Sequence, residues 1–323
     1  MARLSNDTAE LRPRTSFDGP ELRFEFPGLE IGVAEYDEGP TGCTVFSFAE
    51  AAALAIDVRG GSPATSGAGL DLVHAICLAG GSLYGLEAAA GVAAELLAAR
   101  DYRTGWLEIP LVAGAIIFDW GPRDNAVYPD KELGRAAVRS ARPGVFPIGR
   151  RGAGRSATAG KVFAYEEGEP AGQGGAFRQV GETKVAVFTV VNAIGAIVDR
   201  EGTVVRGHYD RATGLRRPLV PGVEGRLAGG TAVRPPPGNT TLTVLATNLR
   251  LDQRQLRTLG RQVHASMARA IQPFHAFEDG DVLFAVSTGA VDSDPLLDTT
   301  ALGIVASELA WDAVLSVADD PLP

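Results

Sequence analysis

Residues 234–248 read Arg-Pro-Pro-Pro-Gly-Asn-Thr-Thr-Leu-Thr-Val-Leu-Ala-Thr-Asn, and this stretch decides how the rest of the chain is interpreted. The Pro/Gly-rich residues 219–238 predict an exposed linker, because proline favours extended backbone and blocks helix. Residues 240–248 are apolar and β-branched, which predicts a buried strand. A flexible glycine therefore leads directly into a buried strand that begins with a hydroxyl residue.

The junction Gly238-Asn239-Thr240-Thr241 suits a hydrolase whose nucleophile becomes the first residue of a new chain. In such an enzyme the hydroxyl attacks the preceding carbonyl, cuts the chain and frees its own α-amine. An α-amine has a reference pKa of about 7.7–8.0, so it can serve as a general base at neutral pH. A plain loop-to-strand junction is the alternative interpretation of the same residues.

Outward from this junction, the chain alternates between strand-like and helix-like segments. Apolar and β-branched patterns predict strands over residues 22–26, 42–48, 53–58, 111–120, 184–191, 195–198 and 281–287, and residues 60–69 are too rich in glycine and serine for a regular element. Helices are predicted over residues 70–79, 84–99, 131–139 and 301–317, and from a cap at Asp252 to about residue 270. Without a regular βαβ rhythm, this order favours a layered α/β or α+β fold over a doubly wound sheet.

The composition excludes several classes of protein. Of 323 residues, 45% are hydrophobic and 21% charged, which is typical of a globular domain and excludes a disordered or fibrous chain. No apolar run reaches the roughly 18 residues that a membrane span needs. Residues 1–20 carry charges of both signs and no apolar core, so we expect a mobile tail rather than a signal peptide, followed by one domain over residues 21–323.

Charge and cysteine content narrow the partners and the compartment. The net charge is −9, and the densest basic segment, residues 149–155, is short, so nucleic acid is not an expected partner. Two cysteines supply neither a disulfide framework nor a four-cysteine zinc site, which favours a reduced, cytoplasmic protein.

Three familiar motifs fail on spacing. Residues 154–161 (GRSATAGK) resemble a phosphate loop but lack the Ser/Thr after the lysine. Residues 80–85 (GGSLYG) miss the nucleophile-elbow spacing by one residue, and a glycine-rich turn explains them. The histidines show no metal-binding spacing and are interpreted as structural: His74, His208, His264 and His275.

Longer segments carry a resemblance to a known family. They are FEFPGLEIGVAEYDEGPTG, HAICLAGGSLYGLEAAAGV, AVYPDKELGRAA, GAGRSATAGK, VDREGTVVRGHYD, GNTT, QVHASMARAIQPFH, DGDVLFAV and TTALGIVASELAWDAVL. Together they resemble the DmpA-type self-processing aminopeptidases and, within them, the nylon hydrolases (6-aminohexanoate-oligomer endohydrolases). The likeness extends from about residue 24 to residue 315, and GNTT before an apolar strand marks the threonine branch.

The resemblance implies roles for individual residues. Cleavage would fall between Asn239 and Thr240, giving an α chain of residues 1–239 and a β chain of residues 240–323, with Thr240 as nucleophile. Lys161 matches the active-site lysine and would lower the pKa of the Thr240 amine or donate a hydrogen bond. Asn192 matches the active-site asparagine, whose amide suits an oxyanion. Without the resemblance, Lys161 would be interpreted as a loop lysine and Asn192 as a turn former.

The same resemblance assigns two carboxylates and reveals one departure. Asp279 and Asp281 match a pair that would orient the hydroxyl and amine of the nucleophile and balance the lysine, although Asp-Gly-Asp alone predicts only a turn. Phe118 stands where the nylon hydrolases carry a tyrosine, so that hydroxyl is lost. Phe118 and Tyr84 are our candidates for the substrate pocket.

The resemblance thus implies a four-layer αββα sandwich resembling N-terminal-nucleophile hydrolases, without metal or organic cofactor. It implies hydrolysis of linear oligoamides such as 6-aminohexanoate (nylon-6) oligomers through an acyl-enzyme, and a homo-oligomer, expected to be a tetramer of αβ units. Two alternatives stay open. One is an aminopeptidase or amidase acting on small N-terminal amino acids, and the other is an unprocessed, non-catalytic binding protein.

Overall fold

The computed structural model describes residues 3–295 and 297–322. Within them the α-helices are α1 (Leu86–Ala98), α2 (Lys131–Arg139), α3 (Leu219–Ala228), α4 (Gln253–Ser266) and α5 (Thr299–Ser316). The strands, in chain order, are β1 (Glu21–Arg23), β2 (Leu29–Tyr36), β3 (Thr41–Val58), β4 (Thr65–Ser66), β5 (Leu72–Ala79), β6 (Val112–Ile116), β7 (Arg142–Pro143), β8 (Val145–Pro147), β9 (Thr158–Ala159), β10 (Glu169–Pro170), β11 (Gly172–Val180), β12 (Thr183–Asn192), β13 (Ala196–Val198), β14 (Val204–Arg206), β15 (Tyr209–Asp210), β16 (Leu215–Arg216), β17 (Thr240–Leu249), β18 (Ile271–Gln272) and β19 (Val282–Val291).

The long strand β3 joins two layers of sheet. Its first part, up to Phe48, pairs with β2, and its last part, from Ala53, pairs with β19. The register against β5 shifts between Ser47 and Ala52, which is where a bulge bends the strand. One layer therefore has the order β11-β12-β17-β19-β3, and the other contains β2, β3, β5, β6 and β4. The two strands predicted over residues 42–48 and 53–58 are the halves of this single strand.

The apolar core has three layers, and these define the architecture. Side chains such as Ile31, Phe46, Phe188, Val244 and Phe284 fill the space between the two layers of sheet. The outer face of one layer is covered by α4 and α5, and the outer face of the other by α1 and α2. This is the predicted αββα sandwich.

The last helix has the length and composition of a membrane span, because residues 299–319 have a mean hydropathy of 1.5. Its apolar side chains, among them Leu302, Ala306 and Leu309, pack in the core beneath β11 and β12. Burial against the sheet accounts for this composition.

Local signals in the sequence account for several elements. Helix α2 spans the predicted residues 131–139, and its N-cap Asp130 accepts a hydrogen bond from the Leu133 amide. Helix α4 begins after Asp252, which forms a capping box with Gln255. Strand β17 begins at Thr240 as predicted and is buried along its length.

Two predictions are wrong. Residues 70–79 form strand β5 rather than a helix, because this run pairs with β3 and β6 on both sides and is buried in the sheet. The predicted linker over residues 219–238 contains helix α3, Leu219–Ala228. Pro221 lies in the first turn of α3, where a backbone N–H has no partner within the helix and its absence costs nothing.

The N-terminal segment, predicted to be a mobile tail, contacts the domain at several points. Arg14 exchanges backbone hydrogen bonds with Glu35, and the side chain of Asn6 bonds to the backbone of Tyr128. The described part of residues 1–20 is thus held against the domain at these points.

Candidate active site

The candidate site lies where three neighbouring strands meet at one edge of the sheet. Strand β12 ends at Asn192, and the antiparallel β17 begins opposite it at Thr240. Strand β19 runs parallel to β17 and follows Asp279 and Asp281. Because β12 ends where β17 and β19 begin, residues distant in sequence become neighbours. Asn192, Thr240, Asp279 and Asp281 therefore lie together, as the resemblance implies.

The peptide bond between Asn239 and Thr240 is buried and held by two donors. The Thr240 hydroxyl donates to the Asn239 carbonyl oxygen at 2.5 Å, and the Gly280 amide donates to the same oxygen at 2.9 Å. Asn239 and Thr240 are 2% and 5% exposed. A backbone amide aimed at a carbonyl oxygen stabilises negative charge that develops there, so this peptide bond has both a neighbouring hydroxyl and an oxyanion donor.

The Asn192 side chain uses its full hydrogen-bonding capacity. Its amide nitrogen donates to the carbonyl oxygens of Phe118 and Gly238, at 3.0 and 3.2 Å. Its oxygen accepts from the Thr158 amide at 3.1 Å and from Lys161 Nζ at 3.2 Å. Asn192 therefore fixes the backbone just before the Asn239–Thr240 bond and holds Lys161 in place.

Lys161 is a buried cation rather than a loop lysine. It is 3% exposed, and its Nζ also donates to the Asn192 carbonyl oxygen at 3.3 Å. Burial lowers the pKa of Lys161 to about 7, and the attraction of Asp279 opposes that shift. At neutral pH this amine therefore exchanges its proton easily.

Asp279 is the matching buried acid. Its carboxylate oxygens accept from the backbone amides of Ile194 at 3.3 Å and Ala276 at 3.1 Å. Burial and the neighbouring Asp281 raise the pKa of Asp279 to about 7, against the lowering effect of these amides and of Lys161. Asp279 and Lys161 thus both change charge near neutral pH.

Asp281 connects the candidate nucleophile to a histidine. One carboxylate oxygen accepts from the Thr241 amide at 2.7 Å. The other contacts His275 twice, at 3.1 Å from its amide and 2.9 Å from its Nδ1. His275 has a positive φ of 60°, a conformation that His adopts more readily than most residues. The sequence argument gave His275 no functional role, and its only signal was its position six residues before Asp281.

Phe118 and Tyr84, the two pocket candidates, occupy different places. Phe118 packs against Gly238, where a Cβ would lie 2.8 Å from the ring, and Gly238 has a φ of +87° that a side chain would strain. Phe118 is therefore part of the site. Tyr84 is 63% exposed and packs on Trp120 and Tyr128 with ring centroids 5.7 Å apart.

Two cavities flank Gly238, and Phe118 lines both. The first, of about 320 Å³, is bounded by Pro122, Lys161 and Tyr165 and by the chain at Pro236–Gly238. The second, of about 280 Å³, is bounded by Pro63, Leu83 and Ile116 and reaches Thr240. Tyr84 lines neither. A larger hollow lies between α4 and the start of α5, away from these residues.

The polar groups of the site are not arranged as a metal centre. Within residues 3–295 and 297–322, no group of three or more His, Cys, Asp or Glu side chains is placed to hold a metal ion. What the site brings together is a hydroxyl, a carbonyl carbon beside it, an amide donor on the carbonyl oxygen, and two groups that titrate near neutrality. These are the components of acyl transfer.

Comparison with solved structures agrees with this class of protein. The L-aminopeptidase D-Ala-esterase/amidase from Ochrobactrum anthropi, described as a variant of the Ntn-hydrolase fold, matches with a TM-score of 0.63 and 16% sequence identity, covering 94% of this chain and 88% of that one. A Burkholderia β-aminopeptidase matches with a TM-score of 0.63 and 17% identity, over 94% and 88% of the two chains. The chain therefore has the fold of an N-terminal-nucleophile hydrolase.

Sequence comparison then identifies the family. The model of peptidase family S58 matches residues 25–319, and the chain belongs to that family. It is 49% identical over 319 residues to a 6-aminohexanoate-oligomer endohydrolase of Agromyces sp., covering 96% of this chain and 89% of that protein. It is 48% identical over 322 residues to one of Kocuria sp., covering 97% and 90%.

Proposed function

We propose that this protein cuts itself between Asn239 and Thr240 and then uses Thr240 to hydrolyse linear amide bonds in oligoamides such as 6-aminohexanoate oligomers. The observation that carries the proposal is the geometry at one carbonyl group. The Asn239 carbonyl oxygen accepts from the Thr240 hydroxyl at 2.5 Å and from the Gly280 amide at 2.9 Å. The substrate class is taken from the names of relatives that are 48–49% identical.

In the self-cleavage step, Thr240 Oγ attacks the Asn239 carbonyl carbon and loses its proton. The oxygen of the tetrahedral intermediate is stabilised by the Gly280 amide. The carbon–nitrogen bond then breaks, the nitrogen takes up a proton, and an ester links Asn239 to Thr240 Oγ. Water hydrolyses this ester, which leaves a carboxylate on Asn239 and restores the hydroxyl beside a free α-amine.

In turnover, the same hydroxyl attacks the carbonyl carbon of a substrate amide. The α-amine of Thr240 accepts the hydroxyl proton, and the amine product leaves with a proton as the acyl ester forms. Water hydrolyses the ester and releases the acid. Lys161 and Asp279 set the charge around the α-amine, while Asp281 holds the Thr241 amide and so fixes the start of the strand.

Intact mass under denaturing conditions tests the cleavage step. The wild type is expected as two fragments that meet between Asn239 and Thr240, and Thr240→Ala as one uncut chain. Thr241→Val is the matched control, because Thr241 is buried and its hydroxyl has no hydrogen-bond partner. It should be cut like the wild type. An uncut wild type favours the non-catalytic binding protein.

Capped and uncapped oligoamides separate the hydrolase from an aminopeptidase. An aminopeptidase needs a free amine at the N-terminus of its substrate, whereas an endo-acting hydrolase does not. Cleavage of N-acetylated 6-aminohexanoate oligomers by the processed protein is the expected result. Hydrolysis confined to the uncapped oligomers would instead establish the aminopeptidase reading.

The proposal includes a cytoplasmic homo-oligomer, a tetramer of αβ units, acting on small oligoamides or peptides. These statements rest on composition and on the resemblance to the family. Light scattering of the purified protein is expected to give the mass of four αβ units, and the mass of a single unit would refute the tetramer.

A further inference from the structure

The cavity that takes the acyl part of the substrate is marked by the protein's own chain. This inference rests on the proposed function. The first cavity, of about 320 Å³, is lined on one side by Pro236, Pro237 and Gly238, the residues just before the proposed cleavage site. The second cavity, of about 280 Å³, reaches Thr240 from the other side of Gly238.

The self-cleavage ester and the acyl-enzyme of turnover are the same kind of bond at the same oxygen. In self-cleavage the acyl group on Thr240 Oγ is the chain that ends at Asn239. That chain extends from the ester past Gly238 along the first cavity. An acyl group from a substrate is attached to the same oxygen and must leave it in a direction that the surrounding side chains allow.

We propose that the first cavity, enlarged by the space that residues 236–239 give up after cleavage, is the acyl subsite, and that it binds an unbranched, methylene-rich acyl chain whose far end is uncharged. The second cavity then receives the amine side of the scissile bond. In the uncut chain, the protein's own segment blocks the acyl subsite.

The lining supports this class of ligand. Phe118, Pro122 and the ring of Tyr165 offer apolar surface, and the volume lies near the lower end of the roughly 300–1,000 Å³ of ligand pockets. Among the described residues that line the cavity, the charged side chain is Lys161 and none is a carboxylate. A free ammonium group at the far end of the acyl chain would therefore lack an anionic partner there, whereas an amide would not need one.

A series of acyl anilides with a constant leaving group measures the subsite directly. Each buried methylene is expected to raise kcat/KM about fourfold, so hexanoyl should exceed acetyl by about two hundredfold. N-acetyl-6-aminohexanoyl anilide should exceed the free-amine compound by at least about tenfold. A flat response to chain length, or a preference for the free amine, overturns the inference.

Two truncations provide a matched pair. Tyr165→Ala enlarges the first cavity and should move the preferred acyl chain to longer lengths. Leu83→Ala enlarges the second cavity, where Leu83 is 64% exposed, and should leave the acyl preference unchanged. The same response in both variants, or a shift in Leu83→Ala alone, overturns the assignment of the two cavities.

Calorimetric binding of N-acetyl-6-aminohexanoic acid separates this inference from the proposed function. The cleaved protein should bind the acid at least about tenfold more tightly than uncut Thr240→Ala, whose cavity still holds residues 236–239. Equal binding overturns the subsite, even in a cleaved and active enzyme. A cleaved protein that binds the acid but hydrolyses no anilide refutes the proposed activity and leaves the subsite supported.

Discussion

Replacing Asn192 by leucine should both destabilise the fold and stop self-cleavage. Leucine has a similar volume but removes four hydrogen bonds, to the carbonyls of Phe118 and Gly238, the Thr158 amide and Lys161 Nζ. Each buried partner left unsatisfied costs about 1–3 kcal/mol. Because the adjoining cavity allows some rehydration, the low end applies, and four partners give a loss of about 4 kcal/mol.

The loss of cleavage has a separate cause. Without Asn192, nothing holds the Gly238 carbonyl, so the Asn239 carbonyl is free to rotate away from the Gly280 amide and the Thr240 hydroxyl. A misplacement of about 1 Å costs on the order of a hundredfold in rate. Denaturing mass analysis should therefore find Asn192→Leu uncut after purification.

Urea unfolding in a Thr240→Ala background measures the stability term, because every variant is then uncut. Asn248→Leu is the matched control: Asn248 is buried on the same strand as Thr240 and makes two hydrogen bonds, with the Lys184 amide and the Glu182 carbonyl. It should cost about 2 kcal/mol by the same count and remain cleavable when Thr240 is present. The reasoning is refuted if Asn192→Leu matches this control in stability and in cleavage.

Three further predictions concern buried charges, all measured by urea unfolding in the Thr240→Ala background. The folded pKa of Lys161, about 7, lies below its usual 10.5, so Lys161 destabilises the fold fully below pH 7 and progressively less as the pH rises towards 10.5; Lys161→Met should therefore gain most over the parent at pH 6 and least at pH 9, and the opposite trend contradicts this. The folded pKa of Asp279, about 7, lies above its usual 3.8, so its contribution to stability is lost as the pH rises from about 4 to 7; Asp279→Asn should improve relative to the parent over that range, and a constant difference contradicts this. His275→Ala removes a hydrogen bond to the buried carboxylate of Asp281 and should cost about 1.5–3 kcal/mol, whereas His275→Asn keeps a donor and tolerates the positive φ, so equal losses in the two variants would exclude this role.

The sequence predicted elements where local chemistry and tertiary packing agree. Helix α2 has both a capping aspartate and good helix formers, and β17 has a β-branched run that also fits a buried sheet position. Residues 70–79 show the opposite case. Their run of Leu, Val, Ile and Ala fits a buried helix as well as a strand, and pairing with β3 and β6 decides between them.

The candidate site was predictable only through family motifs. Asn192, Thr240 and Asp281 are far apart in sequence, and it is the strand register that brings them together. His275 and the Gly280 amide were missed for physical reasons. A backbone amide has no signature in sequence, and the contact of His275 with Asp281 depends on a positive φ that no residue pattern there announces.

In the proposed mechanism, one bond cleavage makes two changes that turnover requires. Before cleavage, the Thr240 nitrogen is an amide and cannot accept a proton, and Gly238, packed on Phe118, keeps the two cavities apart. Breaking the Asn239–Thr240 bond turns that amide into an amine and frees the end that lies between the cavities. A base and an open acyl subsite therefore appear together, so the uncut chain has neither the proton acceptor nor the space to act on an external amide.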